Sequence, residues 1–385
     1  MHKSLHLLSK LTALSLILGA VSCTQPESTQ STTAGSDQPQ AETSAEAGDQ
    51  VIASYSVLCD MTEQIAETTV DVTCLIDAGQ DPHAYSPTPE DRRAIEEADL
   101  VLYGGYDFEP GIIQMIEATD SSAPKVAVSE TAVSDPLMGE AHDHGAHGHG
   151  EEHSKEEHSE EDHHAEGEHD HDHDHDHHAE GEEHSEDEAH ADGEMVADPH
   201  VWHDAEIGIA MAEVIQTQLS ERFPENAELY EANAAALIEE LEQLDTWIQT
   251  QIDTIPADNR TLISTHDALG YYAAAYGIEL EPVLDSFSTE ARPSAADVKA
   301  LTDVVESKSV PSIFVESTSN PGLVETVSRE TDIAVSQDPI YADGLGEAGT
   351  SAATYQGMLV TNTCNIVNGL GGTCDQAAAQ ASLPQ

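Results

Sequence analysis

From residue 51 onward the apolar positions switch repeatedly between a period of two and a period of three to four. Residues 51–58 are apolar and β-rich, residues 60–68 helical in pattern, and residues 70–76 a second β-branched strand. A proline-rich loop over 79–89 leads to a helix at 90–98. A strand at 100–103 ends in Gly104-Gly105, and a helix at 111–118 and a strand at 125–128 follow. This alternation predicts a parallel sheet with helical crossovers. After a long interruption Asp204 is placed to cap a helix running to about Arg222. From Pro224 the apolar residues Tyr230, Ala234, Leu237, Leu241, Leu244, Ile248, Ile252 and Ile255 recur every three or four positions. No Gly or Pro breaks residues 225–255, so the spacing predicts one helix of ~45 Å. It is long enough to join two lobes, and would equally pack along one domain. Strands at 261–265, 279–284, 312–315 and 331–335 then alternate with helices after His266 and at 293–306, 321–330 and 354–368. The expected fold is α/β, with two lobes, each a mainly parallel sheet flanked by helices, joined by one long rigid helix.

The interruption changes the picture. Residues 141–192 hold sixteen of the 22 histidines and no Ile, Leu, Val or aromatic residue. Such a segment cannot bury a core, and an insert over 140–194 reads as solvated coil. Within it His169, His171, His173, His175 and His177 alternate with aspartates. Imidazole and carboxylate both bind divalent transition metals, and i, i+2 spacing puts the rings on one side of an extended chain. Those five histidines are therefore candidate auxiliary, weak metal sites. The formal charge of the whole chain is −63, which disfavours nucleic acid and anionic ligands and attracts cations.

The N-terminus reads as an address. Lys3 and Lys10 flank an apolar run over 11–21 that is too short to span a membrane. Ala20-Val21-Ser22-Cys23 resembles a bacterial lipoprotein cleavage box, with Ala20 where Leu is commonest. Residues 1–22 are then a signal peptide, Cys23 carries lipid, and 23–50 form a flexible tether of roughly 30 Å. That places the chain in the periplasm or at the cell surface, anchored to a membrane. The other cysteines are Cys59, Cys74, Cys364 and Cys374, an even number in an exported chain. Three pairings exist. Proximity in sequence favours Cys59–Cys74 and Cys364–Cys374, each stabilising by about 2–3 kcal/mol. A four-cysteine zinc site is the rival, but no CxxC spacing occurs.

Outside the signal peptide and the insert only His83, His200, His203 and His266 remain. Three of them sit where a predicted strand or loop gives way to a helix, the usual place for ligand sites in open α/β sheets. Two share the local sequence Asp-Pro-His, in which proline fixes the backbone ahead of the imidazole. Asp81-Pro82-His83-Ala84-Tyr85-Ser86-Pro87-Thr88-Pro89 resembles a signature loop of the zinc and manganese solute-binding receptors of ABC uptake systems. Asp198-Pro199-His200-Val201-Trp202, Thr265-His266-Asp267-Ala268, Ile313-Phe314-Val315-Glu316 with Asn320-Pro321, and Tyr341-Ala342-Asp343-Gly344-Leu345-Gly346 resemble further segments of that family, in order.

The resemblance implies a metal cleft between the lobes, with His83, His200, His266 and Asp343 as ligands. His203 matches no ligand and is read as a neighbour of the site or a surface residue. It also implies a monomer that hands its ion to an inner-membrane ABC permease, with lobes over 51–223 and 256–385 and a linking helix over 224–255. In that family His at the third position goes with zinc and Glu with manganese. Three imidazoles and a carboxylate suit Zn2+, whereas Mn2+ takes more oxygen. The expected ligand is thus Zn2+, with Mn2+ as the alternative. A rival reading makes the insert the working site of a zinc buffer. An enzyme is not expected: HExxH, nucleophile motifs and a P-loop are all lacking, and four protein ligands leave little room for a reactive water.

Overall fold

Strand β1 (Gln50–Tyr55) is buried over its last five residues, as befits a strand covered on both faces. The structure is a computed structural model that describes residues 48–140, 195–290, 295–308 and 310–382. The expected signal peptide, Cys23, nearly all of the expected tether, and the insert with His169, His171, His173, His175 and His177 lie outside the described residues. After β1 the chain turns at once into α1 (Ser56–Ala66). Residues 56–58, expected to continue the strand, are helical because the extended Tyr55 already serves as N-cap. Then come β2 (Asp71–Ile76), α2 (Pro89–Glu97), β3 (Leu100–Tyr103), α3 (Pro110–Ala118), β4 (Lys125–Ala127) and a short α4 (Val128–Ala132). The four strands are parallel in the order β2-β1-β3-β4. Chain direction across the sheet reverses beside β1, so a crevice opens at the carboxyl ends of the strands. At α2 Thr88 accepts from the backbone N–H of Glu90 and Asp91, and the Asp91 side chain returns the bond. This capping box, with Pro89 at the first helical position, fixes where the preceding loop ends.

The ends of the insert meet in a feature the sequence pattern did not show. β5 (Met138–Glu140) and β6 (Met195–Ala197) form an antiparallel pair. Three-residue strands on either side of a long polar segment carry too little periodicity to be read in advance. α5 (Ala205–Arg222) follows, capped by Asp204, whose carboxylate accepts from Glu206 N–H at 2.8 Å.

Next comes α6 (Ala227–Ile252). Both ends of the expected 31-residue helix are tighter turns: Asn226 N–H bonds to Phe223 C=O and Ile255 N–H to Ile252 C=O, three residues back in each case. The apolar stripe therefore runs past the α-helix proper, which is ~39 Å long. α6 packs against α1 and α5 from the first half of the chain and α10 from the second. In that second half are β7 (Thr261–His266), α7 (Gly270–Tyr276), β8 (Glu279–Leu284), α8 (Ala295–Lys308), β9 (Ser312–Ile313), α9 (Gly322–Thr331), β10 (Ala334–Val335), α10 (Tyr355–Gly369) and α11 (Gln376–Ser382). β7 pairs in parallel with β8, and β9 with β10. Phe314 N–H donates to Ile263 C=O at 2.9 Å and joins β9 to β7. The fold is α/β, with parallel sheets flanked by helices in two lobes and one long helix touching both. The α11 sequence QAAAQAS has no apolar period and was not anticipated.

Cys59 bonds Cys74, tying α1 to β2, and Cys364 bonds Cys374 just beyond α10. Leu241, in the middle of α6, is fully buried. Truncation to alanine leaves a cavity where elements from both halves meet, so Leu241→Ala should lower unfolding free energy by about 2–5 kcal/mol. Glu239→Ala, on the exposed face, should change it by less than about 0.5 kcal/mol. Denaturant titration of both variants checks this.

Candidate metal centre

Each candidate ligand is delivered from at or beyond the carboxyl end of a strand, and two arrive by the same local device. In the loop after β2, Asp81 Oδ1 accepts the His83 N–H at 3.0 Å. After β6, Asp198 Oδ1 accepts the His200 N–H at 2.9 Å. The Asp-Pro-His sequence thus folds twice into a turn in which the aspartate bonds the backbone two residues on and proline sets the dihedral between. Asp81 also reaches across the cleft: its Oδ2 accepts the Thr289 hydroxyl, from the loop after β8, at 2.6 Å. His266 is the last residue of the fully buried β7. Asp343 lies in the loop between β10 and α10.

These four side chains converge. His200, His266 and Asp343 are wholly buried and His83 is 6 % exposed. One ligand atom from each falls within 4.8 Å of all the others. Asp343 Oδ1 is 3.5 Å from His83 Nε2, 3.4 Å from His200 Nε2 and 3.2 Å from His266 Nε2, and the first two nitrogens are 3.3 Å apart. Ligands ~2.0–2.1 Å from a central ion in tetrahedral array are ~3.3–3.4 Å from one another, so these four edges have the size such an ion requires. Asp343 Oδ1 and His266 Nε2 face each other at 3.2 Å, yet neither has a hydrogen-bond partner among the described residues. Two buried polar atoms in that condition are costly unless a further group sits between them. The other carboxylate oxygen is occupied: Thr318 Oγ1 donates to Asp343 Oδ2 at 2.5 Å. Asp343 therefore offers the centre a single oxygen.

The ring nitrogens facing away are fixed too. His200 Nδ1 is 2.9 Å from Asp198 Oδ1, and His266 Nδ1 is 2.5 Å from Glu316 Oε2. Glu316, itself buried, also accepts the backbone N–H of Thr265 and His266 and the Ser319 hydroxyl. Carboxylates behind the rings hold the tautomer that presents Nε2 and raise its basicity. Charge follows this arrangement. Burial lowers the pKa of His83 despite its contact with Asp343. At His200 burial also pulls downward, but the adjacent carboxylates of Asp198 and Asp343 outweigh it and leave the pKa raised. At His266 the charges of Glu316 and Asp343 overcome burial and hold the pKa well above the ordinary value. Burial would raise Asp343, but the His266 charge and the nearness of all three rings hold it well below the carboxylate range. The metal-free centre is thus an ionised aspartate facing an imidazolium at His266.

Sequence reasoning named Asp198, Glu316 and Asp81 as parts of motifs without giving them these tasks. It missed Thr318, Thr289 and Phe108. Phe108 stands edge-on to His83 at 5.0 Å and to His200 at 5.6 Å, and packs on Trp202 at 4.7 Å between ring centres. It is aimed there by a turn in which Gly105, Tyr106 and Asp107 all have positive φ, of 90°, 52° and 57°. The two non-glycine residues are held in that costly conformation by Tyr106 N–H on Glu130 and the Tyr106 hydroxyl on Val133 C=O. The pair of glycines before the turn was its only sequence signal. His203 is not at the surface: it is fully buried, and its Nε2 lies 2.8 Å from Ala342 C=O. Burial pushes its pKa down to about 3, so it stays neutral.

The model of a protein family described as ZnuA, zinc-uptake complex component A, periplasmic, matches residues 51–369. The manganese-binding lipoprotein MntA of Halalkalibacterium halodurans is 29 % identical over 323 residues, which cover 84 % of this chain and 89 % of the relative. The manganese ABC transporter substrate-binding lipoprotein PsaA of Streptococcus pneumoniae is 28 % identical, covering 83 % and 88 %. Among solved structures, the periplasmic zinc-binding protein TroA from Treponema pallidum superposes with a TM-score of 0.66 at 26 % identity, covering 84 % of this chain and 99 % of that one.

A divalent ion must displace the proton from His266 Nε2 and any proton on His200. Both pKa values are raised, so both groups hold protons at higher pH than free imidazole. Binding at pH 7 should therefore release about one to two protons, and the logarithm of the affinity should rise by about the same number per pH unit until those groups deprotonate. Calorimetry of Zn2+ binding in buffers of different ionisation enthalpy measures this. His266→Ala should release fewer protons, and an enthalpy independent of buffer would contradict the charge assignment.

Proposed function

Because the chain belongs to the family of periplasmic zinc-uptake complex components, the metal-binding receptors of ABC importers, we propose that it captures Zn2+ outside the cytoplasm and delivers it to an inner-membrane ABC permease. The observation that carries the choice of metal is the donor set. Three imidazole Nε2 atoms and one carboxylate oxygen converge on one point, with the second oxygen engaged by Thr318. That is a nitrogen-rich, four-coordinate set, which suits Zn2+; Mn2+ takes more ligands, mostly oxygen. Manganese transport is the second reading. It is favoured by the names of the relatives, of which MntA and PsaA are manganese proteins. TroA, by contrast, is named as a zinc-binding protein. We assign the ligands as His83, His200, His266 and Asp343.

The same reading divides the chain into a lobe over 51–223, a linking helix over 224–255 and a lobe over 256–385. It is supported by α6 touching helices of both halves. Relatives named as lipoproteins support an anchor at Cys23. The histidines of the insert, with the run His169 to His177, would add weak sites that gather the ion near the cleft. They would not form the transport site.

Native mass spectrometry of chelator-stripped protein, titrated with Zn2+ and Mn2+, tests these assignments. One tight Zn2+ should bind, and it should remain when residues 141–192 are deleted. His83→Ala and His266→Ala should each weaken that site at least ~100-fold, since each removes a ligand. Tight binding that survives both point variants and disappears with the deletion would transfer the function to the insert. Thr318→Val frees Asp343 Oδ2, and it should narrow the preference for Zn2+ over Mn2+ in competition titrations. An unchanged ratio would remove the carboxylate geometry as the source of selectivity.

A further inference from the structure

His203 sits one turn beyond His200, on the 3-10 turn Val201–His203, yet its hydrogen bond goes to another part of the chain. Its Nε2–H donates to Ala342 C=O at 2.8 Å, the carbonyl of the residue before Asp343. The carbonyl of Ala342 and the N–H of Asp343 belong to one rigid peptide plane. Holding that plane restricts the direction in which the Asp343 side chain leaves the backbone. The loop is anchored on either side of this point. Asn362 of α10 bonds Tyr341 N–H at 2.9 Å and Tyr341 C=O at 2.8 Å. Ser56 of α1 accepts Leu345 N–H at 2.9 Å. Between those anchors the peptide carrying Asp343 is held by His203.

The side chain has a cost that a core hydrophobe would avoid. His203 Nδ1 is buried and has no hydrogen-bond partner among the described residues, a condition that destabilises the fold. Packing alone would be served better by leucine. The donor at Nε2 is what leucine cannot supply.

We propose that His203 is a positioning residue for metal binding: it fixes the Ala342–Asp343 peptide, so that Asp343 Oδ1 stands at the meeting point of the three imidazoles while Oδ2 stays with Thr318. This rests on the receptor reading above and names a specificity element of the same site. It also ties the turn bearing the second ligand to the loop bearing the fourth, so the two ligands move together.

Co2+ is the probe, because four-coordinate Co2+ absorbs visible light far more strongly than five- or six-coordinate Co2+. The full chain, chelator-stripped, is compared as wild type, His203→Leu and His203→Gln, with Co2+ spectra, competition affinity for Zn2+ and Tm of the metal-free form. His203→Leu should keep its metal-free Tm near wild type, since it removes the unpaired Nδ1 together with the donor. It should lose about tenfold in Zn2+ affinity, the low end for a residue one step behind a ligand, and its Co2+ absorption should weaken as Asp343 leaves the set. His203→Gln, whose amide N–H can reach the same carbonyl, should stay within about threefold of wild type and keep the strong spectrum. Unchanged affinity and spectrum in His203→Leu would overturn the proposal. So would a lowered Tm with an unchanged spectrum in both variants, which would make His203 purely structural. Should His203→Leu not fold, His203→Asn, too short to reach the carbonyl, takes its place with the same expected result. If wild type itself shows no strong four-coordinate spectrum, the ligand assignment fails and not the role of His203.

Discussion

A carboxylate with no exposed surface stands among three imidazoles at Asp343. A buried charge is tolerated only when it is paired and hydrogen-bonded, so this position imposes conditions on everything near it. One oxygen is satisfied by Thr318. The other must be balanced by a positive charge at the centre. Without metal that charge is the His266 proton, itself retained by Glu316. With metal it would be the ion. Proton and ion therefore compete for one place, and the surrounding carboxylates Asp198 and Glu316 serve both states by orienting the same rings.

The rest of the fold can be understood as the means of holding that cluster still. Parallel strands in both halves end at the cleft, and β1 and β7 are buried almost throughout. The two Asp-Pro-His turns lock their imidazoles through backbone bonds of 3.0 and 2.9 Å, with proline removing a degree of freedom ahead of each. Phe108, Tyr55 and Trp202 pack as a group behind His83 and His200. A ligand set in which Asp343 Oδ1 stands 3.2–3.5 Å from all three rings and His83 and His200 meet at 3.3 Å needs such backing, because metal preference depends on ligand geometry.

Periodicity was sufficient to place most strands and helices, and the scarcity of histidines outside the insert left four candidates, from which the family resemblance picked the three that converge. Asp343 was legible only through resemblance. One aspartate among 75 acidic residues carries no local mark of being buried. Glu316 and Thr318 were hidden for the same reason: Glu316 meets β7 about fifty residues distant in sequence, and Thr318 meets Asp343 25 residues on. Phe108 depends on a left-handed turn at Tyr106 and Asp107, residues that do not advertise positive φ. His203 was left between a neighbour of the site and a surface residue, because its partner is a carbonyl 139 residues away.

The insert draws the eye by composition, yet the described residues at its ends say more about it than its histidines do. β5 and β6 pair directly, so the chain leaves and re-enters the fold at one place. That place is not remote from the cluster. Asp198, which orients His200, donates its N–H to Leu137 C=O at 2.8 Å, and the Tyr271 hydroxyl bonds both Leu137 N–H and Asp198 C=O. The cost of closing a loop grows only with the logarithm of its length, about 0.6 kcal/mol per doubling. A long insertion between paired ends therefore disturbs the fold little, and its length can vary without moving Asp198. The residue that orients His200 is thus only a few positions from where the insert ends, and it is held by Leu137 and Tyr271 of the described fold.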